Sequence, residues 1–325
     1  MSVPAALDRH LRDLLSSGQV RCVLGPAAGC GPRGTAHLAR TPEAVDRFEL
    51  SPLACANVLV HLTSEEARRD DARRPVAVLA RPCETRMLNQ LLSERAIERD
   101  ELHVVGLGGC RGVIDSRKLR ERLPELRGFP EVREEGDTFV IEGEGMEPVS
   151  VPRNELLLDR CSGCDISEPL FHDHTFPLAD AAPTSAAEAE CAPEPSDEGW
   201  DYWADQFERC IRCYACRDAC PLCYCEDCVL DRLRPMWVPR SVSLKNNTAY
   251  QLIRVLHLSG RCTACGECEQ ACPVDLPLLT LARKMEQEMR ELYGARSGFD
   301  PEGRHPMSVF DPNDPEGTDF EEQGR

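Results

Sequence analysis

Eight of the 19 cysteines in this 325-residue chain form two copies of one spacing pattern. In each copy, two residues separate the first three cysteines, three residues precede the fourth, and a proline follows. The copies are Cys210, Cys213, Cys216 and Cys220 with Pro221, and Cys262, Cys265, Cys268 and Cys272 with Pro273. Cysteines at this spacing hold [4Fe-4S] clusters in two-cluster ferredoxins. The pattern therefore predicts a two-cluster electron-transfer module.

The fourth cysteine of each copy is expected to bind the cluster of the other copy, because the chain leaves the loop at that point. The first predicted set is Cys210, Cys213, Cys216 and Cys272, and the second is Cys262, Cys265, Cys268 and Cys220. Zinc is the alternative, since a single C-x-x-C also occurs in zinc sites and in redox-active dithiols. Repetition of the whole pattern favours iron–sulfur clusters.

A third set of cysteines lies in the first half of the chain. It consists of Cys83, Cys110, Cys161 and Cys164, with Cys55 as a reserve ligand. Cys83 and Cys110 each follow a predicted strand, so both should emerge at the carboxyl edge of one parallel sheet. Cys161 and Cys164 form another C-x-x-C. These residues predict a third [4Fe-4S] cluster, and the alternatives are a zinc site or separate buried thiols.

Three more cysteines follow the first repeat closely, namely Cys223, Cys225 and Cys228. They would complete a fourth cluster with one ligand from elsewhere, for which the candidates are Cys161, Cys164 and Cys55. Of the remaining cysteines, Cys22 is predicted to be a core residue, and Cys30 and Cys191 have no evident partner.

The elements that must position the third set follow an α/β pattern. Apolar runs predict strands, and apolar residues at helical spacing predict helices. The expected strands are Val20–Gly25, Pro75–Ala80 and His103–Leu107, the expected helices are Ser51–Leu62 and Glu84–Ile97, and a hairpin joins Phe139–Glu142 to Pro148–Val151. The strand–helix–strand crossover makes its two strands parallel. The first domain is therefore predicted to be α/β with a mixed, partly parallel sheet.

Helices dominate the second half of the chain. They are expected at Trp200–Phe207, at about Thr248–Ser259 and at Leu276–Tyr293. In the middle helix, Leu252, Ile253 and Leu256 are predicted to face inward, and Gly260 to end it. Long helical inserts between the cysteine loops favour a mostly α-helical dicluster ferredoxin domain. The insert is locally basic and is expected to face the clusters.

Composition sets the boundaries and the compartment. The net charge of −18 argues against nucleic acid as a partner. Twelve acidic residues and no Lys or Arg between Cys161 and Glu208 indicate a solvated linker. We expect an α/β domain over 1–177, an acidic linker over 178–199, a ferredoxin-like domain over 200–295 and an acidic extended tail over 296–325. Cysteines grouped as metal ligands indicate a reducing compartment, and no apolar run reaches transmembrane length, so a cytoplasmic protein is expected.

Two segments resemble a known family. The run from Arg81 to Gly112, which contains R-P-C-E-T-R and G-G-C-R-G, is similar to the beta subunits of hydrogenases and formate dehydrogenases that use the deazaflavin coenzyme F-420. The two cysteine loops resemble the iron–sulfur extension of some members. The resemblance implies a subunit that passes electrons between a catalytic partner and another carrier. It also implies that the first domain can hold FAD, and it supports a site role for Cys83 and Cys110.

The sequence therefore predicts an iron–sulfur electron-transfer subunit of a multi-subunit redox complex. Its partner would be a hydrogenase, a formate dehydrogenase or a heterodisulfide-reductase-like flavoprotein. No catalytic triad, phosphate-binding loop or acid/base pair stands out, so a substrate-converting site of its own is not predicted. Two alternatives remain open. One is a flavin-bearing subunit that reduces a deazaflavin or nicotinamide acceptor, and the other is a zinc-rich scaffold or assembly protein.

Overall fold

The computed structural model describes residues 3–31, 33–63, 74–162, 164–178, 199–308 and 312. The chain divides into two compact units, one formed by Met1–Leu88 and Ala96–Glu194 and the other by Asn89–Arg95 and Pro195–Arg325. No pattern in the sequence marks out the short segment 89–95 as part of the second unit. The predicted linker at 178–199 lies almost wholly outside the described residues, as do Cys191, the side chain of Cys30 and most of the tail beyond Ser308.

The first unit contains two sheets and four helices in its described part. Its strands are β1 (Cys22–Gly31), β2 (Arg33–Ala39), β3 (Val76–Ala80), β4 (Leu102–Gly108), β5 (Glu131–Glu135), β6 (Thr138–Glu142), β7 (Val149–Pro152) and β8 (His174–Pro177). Its helices are α1 (Ala5–Ser16), α2 (Pro82–Ser93, which continues into the second unit), α3 (Ser116–Arg122) and α4 (Arg153–Leu156). Short 3₁₀ turns occur at Pro42–Arg47, Val58–His61, Arg99–Glu101 and Asp159–Cys161.

The larger sheet has the strand order β2-β1-β3-β4-β8. β1, β3, β4 and β8 are parallel, and β2 runs antiparallel to β1 at one edge. All five residues of β3 are buried, as expected for a central parallel strand of β-branched and apolar residues. The smaller sheet, β5-β6-β7, is antiparallel and includes the predicted hairpin. The prediction of an α/β domain with a mixed, partly parallel sheet is confirmed.

The predicted helix at Ser51–Leu62 is wrong. That segment forms turns followed by a single 3₁₀ turn at Val58–His61, and Cys55 lies in the turns. Its apolar residues are fully buried on all sides instead of along one face, as for Leu53, Ala54 and Val58. Burial of a loop therefore produced the apolar spacing that resembled a helical face.

The second unit is helical in its described part. Its helices are α5 (Trp200–Glu208), α6 (Ala215–Asp218), α7 (Leu244–Leu258), α8 (Glu267–Gln270) and α9 (Leu278–Tyr293), followed by a 3₁₀ turn at Pro306–Ser308. Gly260 follows α7 with a φ of 69°, consistent with its predicted role in ending the helix. The mostly helical second domain is confirmed. None of the helices in the described residues is long and apolar enough to cross a membrane.

Candidate iron–sulfur centres

The two cysteine loops share one backbone shape. In the first loop, Arg212 and Tyr214 have φ values of 56° and 64°, and at the same positions of the second loop Ala264 and Gly266 have 52° and 71°. A one-turn helix, α6 or α8, begins at the next residue in each loop. Positive φ is uncommon for residues other than glycine. The sequence repeat is therefore also a conformational repeat.

The first predicted set of ligands lines one small cavity of about 10 Å³. Its four cysteines are Cys210, Cys213, Cys216 and Cys272. Cys210 and Cys216 are buried, whereas Cys213 is exposed. The residues that line this cavity include no carboxylate and no imidazole. A donor set made of thiols alone fits a [4Fe-4S] cluster, which thiolates hold in iron–sulfur proteins.

The second predicted set also comes together. Burial, and after it the neighbouring thiols of Cys220 and Cys268, raise the pKa of Cys262 to about 12. Burial likewise raises the pKa of Cys265, with a further contribution from Cys220. Buried thiolates need compensating positive charge, which cluster iron supplies.

Cys220 belongs to the first loop in sequence but lies with the thiols of the second loop. Cys272 shows the converse, since it interacts with Cys216 of the first loop. The structure thus groups the eight thiols in the crossed sets that the spacing predicts. Which cysteine binds which cluster stays a prediction.

Two amide side chains of α7 hold the first cysteine loop. Asn247 Nδ2 donates hydrogen bonds to the carbonyl oxygens of Phe207, at 2.9 Å, and Cys210, at 2.8 Å. One turn later, Gln251 Nε2 donates to the Cys210 sulfur at 3.5 Å. Both amides are buried. Hydrogen bonds to ligand sulfur tune the reduction potential of an iron–sulfur cluster. The helix α7 can therefore position the first cysteine loop and also affect the reduction potential of the cluster that this loop would hold.

Arg254, also on α7, lies among sulfurs of both sets. Its Nη2 donates to the carbonyl oxygen of Cys216 at 3.1 Å, and the side chain is buried. Burial by itself would lower the pKa of this guanidinium, but the surrounding thiols raise it above its ordinary value. Those thiols are Cys268, Cys220, Cys216 and Cys223. Arg254 therefore places a fixed positive charge between the two predicted clusters.

The predicted inward face of α7 is wrong for Leu252 and Leu256, whereas Ile253 packs against the core of the second unit. Leu252 and Leu256 are 40% and 54% exposed, and Ile253 is only half-buried. The buried face carries Tyr250, Val255 and Leu258 together with three polar residues, Asn247, Gln251 and Arg254. Their i, i+4, i+7 spacing was visible in the sequence, but sequence reasoning missed it because only apolar residues were taken to mark a buried face. The cysteine loops offer carbonyl oxygens and sulfur as acceptors, so a polar face packs against them.

The third predicted set also comes together in the first unit. Burial raises the pKa of Cys83, and the nearby thiols of Cys110 and Cys161 raise it further. Burial raises the pKa of Cys110 to about 11, with contributions from Cys161 and Cys164. Cys83 lies in the first turn of α2, directly after β3, and Cys110 lies two residues after β4. Strand ends at one sheet edge therefore deliver two of the four thiols, as predicted from the parallel crossover.

A glycine lets the two halves of the third set approach each other. Gly112 has a φ of 94°, and a Cβ atom on it would lie 2.7 Å from Leu157 Cδ2 and 3.1 Å from Cys161 Cβ. A larger residue would push the loop that carries Cys110 away from Cys161. Sequence reasoning gave Gly112 no role.

Cys55 lies close to the third set. It is not one of the four cysteines, Cys83, Cys110, Cys161 and Cys164, whose thiols interact. It is fully buried with Val113 and Leu158, and Cys161 packs against this group. Its carbonyl oxygen accepts a hydrogen bond from Arg160 Nη2 at 2.6 Å. Its role as a reserve ligand stays a prediction.

The three cysteines of the predicted fourth set have different surroundings. Cys223 hydrogen-bonds to the Cys220 thiol, and this bond lowers the pKa of Cys220. Cys225 is exposed and interacts with Arg261, and Cys228 packs against the core of the second unit. Cys223 is thus an extra thiol beside the second set. A fourth cluster stays a prediction.

A flavin does not fit the cavity at the carboxyl edge of the large sheet. This cavity is lined by residues such as Arg81, Cys110 and Gly112 and has a volume of about 30 Å³. Pockets for drug-sized ligands typically measure about 300–1,000 Å³. The volume of this cavity therefore lies well below the range of such pockets.

Comparison with known proteins agrees with this geometry. Residues 209–277 match the family of 4Fe-4S dicluster domains. Since this span contains both cysteine repeats, the prediction of two iron–sulfur clusters in the second half of the chain is confirmed.

Over 70% of its length, the chain is similar to two known proteins. It is 28% identical over 287 residues to the F420-dependent formate dehydrogenase subunit beta of Methanocaldococcus jannaschii, covering 70% of this chain and 75% of the relative. It is 25% identical over 290 residues to F420-dependent formate dehydrogenase 1 subunit beta of Methanococcus maripaludis, covering 70% and 74%. The resemblance to the beta-subunit family is confirmed.

A solved structure of the F420-reducing [NiFe] hydrogenase complex from Methanosarcina barkeri, derivatised with xenon, contains a chain that matches with a TM-score of 0.37. The two are 14% identical, and the match covers 50% of this chain and 58% of that one.

Proposed function

We propose that this chain is the iron–sulfur electron-transfer subunit of a multi-subunit redox complex of the formate dehydrogenase or hydrogenase type. One observation carries the proposal. Eight thiols in a span that matches 4Fe-4S dicluster domains form two crossed sets, with the positive charge of Arg254 between them. Clusters held by four cysteine thiolates are suited to electron transfer, because their reduction potentials are set by the surrounding protein.

The third set of thiols would extend the relay within the same chain. Cys83, Cys110, Cys161 and Cys164 supply four sulfurs at the sheet edge of the first unit. The names of the relatives support a formate dehydrogenase as the partner that delivers or receives electrons, with a hydrogenase or a heterodisulfide-reductase-like flavoprotein as alternatives. A reducing, cytoplasmic compartment is proposed because free thiol ligands persist there.

Iron counting on the anaerobically purified chain tests this function. About 8 iron atoms per chain would correspond to the dicluster domain alone, about 12 would add the third set and about 16 the fourth. Zinc with little iron would refute the proposal and would favour the scaffold alternative.

Three exposed cysteines allow the first, third and fourth sets to be tested without disturbing a core. Cys213, Cys164 and Cys225 belong to the first, third and fourth sets and are all exposed. Changing each to serine should remove about four iron atoms if its set holds a cluster. Cys22→Ala is the matched control, because Cys22 is a buried cysteine of β1 that belongs to no set. Unchanged iron in Cys213→Ser would contradict the dicluster assignment of this residue.

The flavin-bearing alternative has one observation in its favour. The second unit has a cavity of about 680 Å³ whose lining includes Glu94, Tyr224 and Arg261. Its volume lies in the range of small-molecule sites. Resolved flavin bands in the absorption spectrum of the purified chain would support this alternative, whereas a broad iron–sulfur shoulder alone would count against it.

A further inference from the structure

Three histidines meet in the first unit at the sheet edge opposite the third cysteine set. His10 comes from α1, His103 from the start of β4 and His174 from the start of β8. β4 and β8 are parallel, so their first residues lie at the same edge. The other end of β4, at Gly108, is roughly 17 Å away along the strand. The histidines are therefore separate from the cysteine set.

The sheet register explains why these side chains converge. Val105 pairs with His174, so the two share a face, and His103 shares that face because side chains alternate along β4. α1 covers the same face. Its leucines form one core cluster with Val105, and His10 lies on the leucine stripe, three residues after Leu7. The histidine on α1 thus points toward the two on the sheet.

The three rings are close, and two of them have a buried nitrogen without a hydrogen-bond partner among the described residues. One ring nitrogen from each histidine lies within 4.8 Å of the other two. The ring centroids of His10 and His174 are 4.3 Å apart, and those of His103 and His174 are 5.6 Å apart. The Nε2 atoms of His10 and His103 are buried and have no hydrogen-bond partner among the described residues. A buried polar nitrogen without a partner is costly, which indicates that something absent from the chain satisfies it.

Charged side chains also lie near the three histidines. Asp13 acts on His10, and Asp173 and Arg99 act on His103. The Asp173 carboxylate already accepts hydrogen bonds from Arg99, at 2.6 Å, and from the Val104 N–H, at 2.7 Å. The nearby acidic groups would therefore act around the ligands instead of joining them.

We propose that His10, His103 and His174 bind a divalent zinc ion. Imidazole is a preferred ligand of Zn²⁺, and three protein ligands with a fourth position for water make an open site. His174 is exposed and provides the access. Zn–N bonds of about 2.0–2.1 Å imply nitrogens about 3.4 Å apart in a tetrahedron, so binding would draw the nitrogens together by at most about 1.4 Å.

Zinc uptake by the cluster-loaded chain tests the proposal. The anaerobically purified chain, with its iron retained, is dialysed against Zn²⁺ alone and its zinc content is measured. His174→Gln should bind about one zinc ion fewer than the wild-type chain. His172→Gln is the matched control, because His172 is also exposed and lies two residues away. Equal uptake by the wild-type chain and His174→Gln would overturn the proposal.

The ligand type gives a second, independent measurement. X-ray absorption at the zinc edge should show nitrogen at about 2.0–2.1 Å in the wild-type chain, whereas zinc on cysteine would show sulfur at about 2.3 Å. A sulfur-dominated spectrum would overturn the proposal. His10→Gln and His103→Gln should lose the same ion. Since both positions are at least partly buried, their thermal unfolding without zinc is compared first with that of the wild-type chain.

Discussion

Removing the charge of Arg254 should lower the reduction potential of both clusters in the second unit. Arg254 is 6% exposed, and the sulfurs of Cys216, Cys220 and Cys268 all interact with it. Each reduction adds one negative charge to a cluster, which a nearby cation stabilises. Arg254→Gln removes the cation and keeps a hydrogen-bond donor for the Cys216 carbonyl oxygen.

The size of the shift follows from Coulomb's law. At a separation of roughly 6 Å and an effective dielectric constant of about 20, one unit charge changes the energy of an added electron by about 2.8 kcal/mol. A tenfold change in an equilibrium constant is about 1.36 kcal/mol, or about 59 mV for one electron. The expected fall is therefore about 120 mV. Burial of Arg254 means that solvent screening should not reduce this value greatly.

The assay is a redox titration followed by electron paramagnetic resonance. Arg254→Lys keeps the charge and should stay close to the wild-type potentials, while Arg254→Gln should fall. Arg232→Gln is the control, because Arg232 lies in the same basic insert but is exposed and paired with Asp227. If Arg254→Gln retains its iron and both potentials stay within about 20 mV of wild type, the electrostatic argument is refuted, because about 120 mV is expected at the dielectric constant used.

Two further changes test the architecture around the thiols. Gly112→Ala should lower the iron content of the third set and destabilise the chain by about 1–3 kcal/mol, since it combines positive φ with a clash against Leu157. Gly128→Ala has a similar φ of 68° but open space around it, so its iron content should match wild type. Glu94→Gln should cost about 2–3 kcal/mol in denaturant unfolding, because Arg261 loses its partner at 2.5 Å. Burial raises the pKa of Glu94, but Arg261, Tyr224 and Gln90 together lower it more, so the net folded value lies below the unfolded one. This stabilisation is present above about pH 4.3 and is lost as the pH falls through the folded pKa, so the wild-type advantage should shrink there.

The cysteine repeats were the part of the site that sequence could predict best. Ligand spacing is a local property, and the same spacing occurs twice, so neither depends on how distant segments pack. The third set needed one further step, namely that the parallel crossover β3–α2–β4 brings two strand ends to one edge. Since runs of β-branched residues indicated both strands, this step could also be predicted from the sequence.

Contacts between segments that are far apart in the sequence could not be predicted in this way. β2 was not predicted, because its half-buried residues show neither a clear apolar run nor a strict alternation. The histidine group joins residues from α1, β4 and β8 whose sequence separation hides their contact. The short segment 89–95 joins the second unit through contacts such as Glu94 with Arg261, 167 positions away.

The wrong face of α7 has a more general cause. In the second unit, the thiols of Cys210 and Cys216 belong to the core cluster itself, together with Tyr250. A helix that packs on such a core faces carbonyl oxygens and sulfur atoms, which accept hydrogen bonds, as well as apolar side chains. Burying amides and a guanidinium that hydrogen-bond to these acceptors then costs less free energy than burying leucines, which would leave the acceptors unpaired. On α7 the polar residues at i, i+4, i+7 therefore lie on the buried face together with Tyr250, Val255 and Leu258, whereas Leu252 and Leu256 lie on the exposed one.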